Sequence, residues 1–338
     1  MWEPLNGDPT VEFEMYGNPS GVIGKSWISN GSGPIYGHLT CSLGRVRGPV
    51  LLRMAEISSV AEISDAKKME MKLEQAQKLI GGTIIEVTTP EQANLAEAAG
   101  ACAVMVSEPP AQDRPGILRM PNPFLIKDIK KAVTIPVMAR CRIGHVAEAQ
   151  ILEAIGVDFI DESESLTVVD KENPIDKQNF QTPFICGSRS LGEALMNIRK
   201  GASMIRIQGD LLSSGDISDT VKNVRSLTKA IGNLKRTLDD NEVIGFSKKL
   251  VGSFEIFEEA LLTKKMGRLH VVQFAAGGIV TPADASLLMQ MGCDGVFVGS
   301  EIFQSSDRRK WEKRLCGIVQ AVKQYKDPFV LVESSSRF

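Results

Sequence analysis

The stretch PVMARCRIGH, residues 136–145, is an apolar run that ends in Arg140 and Arg142 with no lysine beside them. Seven further short apolar runs end in polar or glycine positions: Glu86; Ser107 and Glu108; Asp161 to Glu164; Arg189; Arg206 and Gln208; Gly277 and Gly278; Gly299 and Ser300. The carboxylates of DESES, residues 161–165, stand close enough to push one another's pKa upward, which suits a general acid or base. The same carboxylates can instead hold Arg140 or Arg142 in ion pairs, and Arg206 can bind an anion or balance them. Imine formation on a sugar carbonyl needs the neutral amine of a lysine. Arg140 cannot supply it, because a guanidinium stays protonated and delocalised, and Gln208 carries a poorly nucleophilic amide. No run end offers a lysine; lysines fall mainly on helical stretches such as IKDIKKA.

The runs that present these residues are TIIEV (83–87), ACAVMVS (101–107), PVMARC (136–141), DFIDES (158–163), FICGS (184–188), MIRIQG (204–209), HVVQFAAGG (270–278) and GVFVGS (295–300). Between them lie helical patterns such as PEQANLAEAAG, where Ala93, Leu95, Ala96 and Ala99 recur near helical spacing and Gly100 marks the end. Strand and helix in alternation imply a parallel sheet, and eight units imply an α/β fold closed as a (β/α)8 TIM barrel. An open doubly wound sheet is the fallback, but its G-x-G-x-x-G fingerprint is absent, as is G-x-x-x-x-G-K-[ST]. In such barrels chemistry sits at the C-terminal ends of the strands, often with a phosphate site after strands seven and eight. Gly277-Gly278 and Gly299-Ser300 fall there, and bare backbone N–H groups can approach an anion closely. Ser64 can cap an extra N-terminal helix with Met69, Leu73, Ala76 and Ile80 on one face. Residues 1–63 are expected to be a poorly ordered extension, rich in Gly, Ser, Asn and Pro up to residue 53, and residues 64–338 the barrel with its preceding helix.

With 338 residues, 43% hydrophobic, 24% charged and a net charge of −2, the chain is expected to be soluble and globular, with no nucleic acid as partner. The longest uncharged stretch, Ser26 to Gly44, is broken by Gly, Ser, Asn and Pro, so no membrane span is expected. The opening MWEPLNGDP lacks a basic segment followed by an apolar one, which favours the cytoplasm. Cys41, Cys102, Cys141, Cys186, Cys293 and Cys316 form no C-x-x-C pair and are expected to be buried reduced thiols. His38, His145 and His270 lie far apart, so neither a metal site nor a cofactor is expected.

From about Ile80 to Val330 the chain resembles the synthase subunit of glutamine-dependent pyridoxal 5'-phosphate (vitamin B6) synthase. RIGH, IDESE, PFICG, EALMNIRKGASMIR, FAAGGIVTPADASLLMQMGCDGVFVGSEIF and QAVKQY carry the resemblance. It implies a barrel subunit that assembles into two stacked hexameric rings, a dodecamer. Active members, carbon–nitrogen lyases, condense ribose 5-phosphate, glyceraldehyde 3-phosphate and ammonia delivered by a glutaminase subunit near the N-terminal helix.

Against that pattern the chain departs where the chemistry lies. The family's third strand ends PVMAKARIGH, and its lysine, the Schiff-base former, is here Arg140. A second lysine, in the family's SMLRTKGE, is here Gln208, and the first-strand aspartate that contacts the pentose is Glu86. The glycine-rich GEPGTGN appears as GDLLSSGD (209–216), the loop after strand two is shorter, and an arginine pair is replaced by Met196 and Asn197. Gly278, Gly299 and Ser300, matching the family's phosphate contacts, and Arg225, matching its triose-phosphate contact, remain. Loss of both lysines most resembles the plant non-catalytic paralogues, which carry ARxRxGH and IRIQGD at these places. The resemblance therefore implies a pseudoenzyme with no catalytic residues, which joins catalytic paralogues in hetero-oligomeric rings and supports vitamin B6 biosynthesis. Two alternatives stay open: an active synthase using another amine, and a different phosphosugar-binding enzyme using Glu86 and the DESE carboxylates.

Overall fold

The computed structural model describes residues 65–108, 117–170, 172–209, 216–237 and 239–336. The expected extension up to residue 63 and the cap Ser64 lie outside them, as does most of the loop GDLLSSGD. Eight strands close in sequence order into a parallel barrel: β1 Gly82–Val87, β2 Ala103–Val106, β3 Val137–Arg142, β4 Phe159–Ser163, β5 Phe184–Ser188, β6 Ala202–Gln208, β7 Val272–Ala276 and β8 Gly295–Val298. β8 pairs back onto β1, with Gly82 opposite Gly295 and Ile84 opposite Phe297.

Side chains along a strand alternate between the two faces of the sheet. One set, Ile84, Met105, Met138, Phe159, Ile185, Met204, Phe274 and Phe297, fills the barrel interior. The alternate set, including Ile85, Val104, Ala139, Ile160, Ile205 and Val296, packs outward against the helices. Such runs are apolar throughout because both faces are covered. Phe274 and Phe297 meet edge to face at 5.7 Å, and Gly295 leaves room for them, since a Cβ there would lie 2.2 Å from the Phe274 ring.

The helices are α1 over residues 65–77, α2 Pro90–Ala98, α3 Pro123–Ala132, α4 Val146–Ile155, α5 Leu191–Arg199, α6 Ser218–Lys235, α7 Asp240–Val251, α8 Phe257–Met266, α9 Pro282–Gln290, α10 Arg308–Lys323 and α11 Pro328–Ser336. Their starts follow local chemistry. Thr89, Asn122 and Ser190 accept a backbone N–H with the side chain, and Thr281 forms a capping box with Asp284. α4 ends on Gly156, whose φ of 80° suits a residue without Cβ.

Two departures from strict alternation appear. Among the described residues between β4 and β5 there is no α-helix, only a 3-10 turn, Lys177–Asn179. Helix α1 is tied to that turn: Lys68 Nζ donates to the Gln178 carbonyl at 2.7 Å and Lys72 Nζ to that of Lys177 at 3.0 Å. The extra N-terminal helix is therefore present, but its buried side is Lys72 and Ala76 with Leu79 beyond its end. Ile80 instead lies exposed past the helix, because the chain turns there into β1. Between β6 and β7 there are three helices, α6 to α8.

Among the described residues no helix is long and apolar enough to cross a membrane. Cys141, Cys186 and Cys293 are buried free thiols, whereas Cys102 is partly exposed and Cys316 exposed, which corrects the expectation of uniform burial. Phe180 is core, edge to face with Phe184 at 5.2 Å. Met196 packs against the outer core.

Candidate functional site at the barrel mouth

By strand parity, Glu86, Arg140, Asp161, Ser163, Arg206 and Gln208 continue the inward rows of Ile84, Met138, Phe159 and Met204. They meet at the C-terminal end of the barrel. Arg140 Nη2 lies 2.8 Å from Glu86 Oε2, and its Nε lies 3.4 Å from Asp161 Oδ2. Asp161 and Arg140 are register neighbours across β3 and β4, whereas Glu86 reaches Arg140 from 54 residues away. Asp161 also receives Arg206, at 3.2 Å. Arg206 Nη2 further donates to Ser163 Oγ at 3.1 Å and pairs with Glu164 at 3.3 Å, while its Nη1 donates to Gln208 Oε1. Gly187 makes room for Glu164, since a Cβ there would lie 1.9 Å from Glu164 Oε1.

This is a network of fixed charges. Burial opposes ionisation of Glu86, but the Arg140 guanidinium outweighs it and holds the carboxyl below the usual range, helped by a hydrogen bond with Ser107. Burial likewise disfavours the charge on Arg140, yet Glu86 and Asp161 push its pKa further up. Arg206 is raised against its burial by Asp161 and Glu164. Glu164 goes the other way: burial raises its pKa, and Arg206 only partly offsets this. Arg206 Nε and Gln208 Nε2 are buried without a hydrogen-bond partner.

The ends of β3 and β6 carry a guanidinium and an amide. Arg140 is a clamped cation, and Gln208 is an amide whose carbonyl is occupied by Arg206. None of the eight strands carries a lysine. Lys177, fully buried, stands outside the barrel wall, paired with Glu162 at 2.6 Å.

The β7 and β8 ends contrast with this clamp. Gly277 and Gly278 have φ of 95° and 70°, a conformation that favours glycine, and Gly278 packs so closely on Asp216 and Ile217 that a Cβ would lie 2.3 Å away. Thr220 Oγ1 ties α6 to the same turn by donating to the carbonyls of Ala276 and Gly277. Gly299 precedes a 3-10 turn, Ser300–Phe303.

Other expected residues fall elsewhere. Arg142 does not pair with the DESES carboxylates; it takes Glu148 at 2.8 Å, at the start of α4. Arg189 and Glu108 are exposed loop residues, and Glu108 accepts the Asn122 N–H at 2.7 Å. Asn197 is not at the mouth's centre but donates to the Gly187 carbonyl at 3.0 Å. Arg225 is exposed on α6, where it borders a surface hollow of about 570 Å³ with Arg236 and Lys229. Two features escaped the sequence reading: the niche Gly187 leaves for Glu164, and the carboxylate of Glu301, which lies against Gly299. Only assembled backbone geometry reveals either.

A closed parallel barrel of eight strands with alternating helices and polar residues gathered at the strand ends defines a (β/α)8 TIM barrel. Residues 68–276 match the SOR/SNZ family, and the chain belongs to it. It is 56% identical over 277 residues to the pyridoxal 5'-phosphate synthase-like subunit PDX1.2 of Arabidopsis thaliana, covering 81% of this chain and 86% of that protein. It is 55% identical over 278 residues to the pyridoxal 5'-phosphate synthase subunit PDX1.3 of the same plant, covering 81% and 87%. With the probable pyridoxal 5'-phosphate synthase subunit PDX1 of Hevea brasiliensis it shares 54% over 278 residues, covering 81% and 87%.

Proposed function

We propose that this protein is a non-catalytic subunit of the pyridoxal 5'-phosphate synthase complex, which joins catalytic synthase subunits in mixed rings and supports vitamin B6 biosynthesis. The observation that carries the proposal is the state of Arg140: a guanidinium held between Glu86 and Asp161, in a barrel whose strands carry no lysine. An imine forms when a neutral amine attacks a carbonyl carbon and water leaves. Among the described residues nothing at this mouth offers that amine, so the condensation lacks a covalent starting point there. Glu86, Gly278, Gly299 and Ser300 are then a vestigial substrate site, kept with the barrel that carries it, while Arg225 stands apart on α6. Its function is structural, through subunit contacts, and a glutaminase subunit can reach such mixed rings through the catalytic partners. The free thiols support a cytoplasmic setting.

The test is intact mass after incubation with ribose 5-phosphate and borohydride, which reduces an imine to a stable adduct. The natural chain is expected to stay unmodified, and Arg140→Lys, or Arg140→Lys with Gln208→Lys, to gain the adduct. An adduct on the natural chain would overturn the proposal. Co-expression with a catalytic paralogue followed by native mass spectrometry tests the second half: mixed rings are expected, and separate homomers alone would sink it.

A further inference from the structure

Strand parity makes residue 299 face inward, continuing the row of Gly295 and Phe297 at the mouth. Gly299 has no side chain, but the space is not empty: a Cβ built there would lie 1.9 Å from Glu301 Oε2 and 2.8 Å from Glu301 Cδ. The carboxylate therefore occupies the volume that opens in front of the β8 end. The backbone that carries it is anchored. Ile302 and Phe303 of the same 3-10 turn are buried, Phe303 meets Trp311 edge to face at 5.4 Å, and Trp311 Nε1 donates to the Ser305 carbonyl at 2.7 Å. Among the described residues no lysine or arginine pairs with Glu301, so its charge is not neutralised locally. Gly278 follows the neighbouring strand, β7, packed against Asp216 and Ile217. Two glycine turns at the ends of strands seven and eight are where a barrel of this kind takes a phosphate.

We infer that Glu301 is a built-in occupant of the anion position between the β7 and β8 ends, and that it keeps phosphate and phosphorylated ligands out of this mouth. The inference deepens the vestigial reading of Gly278, Gly299 and Ser300 and rests on it: the cradle is retained, and the chain's own carboxylate stands in it. Like charges about 4 Å apart repel by about 1 kcal/mol in water and by more where water is excluded. Glu301 is exposed, so the side chain can be changed without touching the core.

The experiment is isothermal titration of inorganic phosphate into the full chain in its native assembly, at fixed ionic strength, for the natural protein, Glu301→Gln, Glu301→Gly, and Glu301→Gly with Gly299→Ala. Gly299 has a φ of −71°, so alanine is tolerated by the backbone there while its Cβ refills the space. The natural chain is expected to bind phosphate at least about tenfold more weakly than Glu301→Gly, the size of one unit of charge-dependent interaction. Glu301→Gln should fall between, and the double variant should lose the gain. Equal binding by the natural chain and Glu301→Gly overturns the inference. So does no binding by any variant, which would place the exclusion elsewhere, and so does a gain that survives Gly299→Ala, which would place the phosphate elsewhere. Borohydride trapping does not depend on Glu301 in the natural chain, so failure of the imine-free reading and failure of this inference are read separately.

Discussion

The two faces of β4 carry adjacent carboxylates with opposite outcomes. Asp161 points into the barrel and is shared by Arg140 and Arg206. Glu162 points outward, where its oxygens take the Gly144 N–H at 3.0 Å, the Ile175 N–H at 2.9 Å and the Lys177 ammonium at 2.6 Å. Lys177 completes that network by donating to the Ile175 carbonyl at 3.1 Å and lying 5.6 Å over the Phe184 ring. The outer network is closed, whereas the inner one leaves Arg206 Nε and Gln208 Nε2 unmatched. The difference shows how this barrel uses its cations. Lys177 is buried outside the barrel wall, paired with Glu162, whereas the mouth holds the guanidinium groups of Arg140 and Arg206.

The contrast can be broken from its outer side first. Glu162→Gln strands the charge of Lys177 in the core, and removing one partner of a buried pair costs about 3–5 kcal/mol. Urea denaturation should show a loss of that order, and a loss below about 1 kcal/mol would mean the outer network is not closed. Arg140→Met is expected to cost less, about 1–3 kcal/mol, because Asp161 keeps Arg206 and Glu86 is partly exposed to water. A loss as large as that of Glu162→Gln would erase the distinction between the two faces.

Acid sharpens the comparison further. Glu86 has a lowered folded pKa, so its contribution is present above the unfolded carboxyl value and is lost as pH falls through the folded one. Glu164 is raised, so its contribution is present below the unfolded value and is lost as pH rises through the folded one. Glu164→Gln should therefore flatten the decline of stability just above the ordinary carboxyl range, and Arg140→Met should remove the part of the acid sensitivity that Glu86 supplies. Unchanged pH profiles would show the two carboxyls to be electrostatically idle. Last, Arg225→Ala is expected to change stability by no more than about 0.5 kcal/mol, since this arginine is exposed on α6.

Much of this was legible in the sequence for local reasons. FICGS matches β5 residue for residue, and GVFV, IIEV and FIDES fall within their strands, because buried parallel strands are short β-branched or aromatic runs bounded by turn residues. That the described residues after β4 form no α-helix was not legible: the turn there is bonded instead by Lys68 and Lys72 of α1, about a hundred residues earlier. Ile80 misled because a helical period continues past the point where the chain turns. At the site, Glu86, Arg140 and Gln208 were found from their places at strand ends, but the partner of Arg142 was not, since Glu148 and the DESES carboxylates are equally available in sequence.

Residue order alone sets the periodic content: eight strand runs, the parity that turns Arg140, Asp161, Arg206 and Gln208 inward, and the absence of a lysine from every strand. Those are consequences of residue type and spacing, which alternation along a strand reads directly. Folding adds that Glu86 clamps Arg140 across 54 residues, that Gly187 opens a niche for Glu164, and that Glu301 fills the space before Gly299. Each depends on where closing the barrel brings separate strand ends within a few ångströms, and spacing along the chain does not encode that distance.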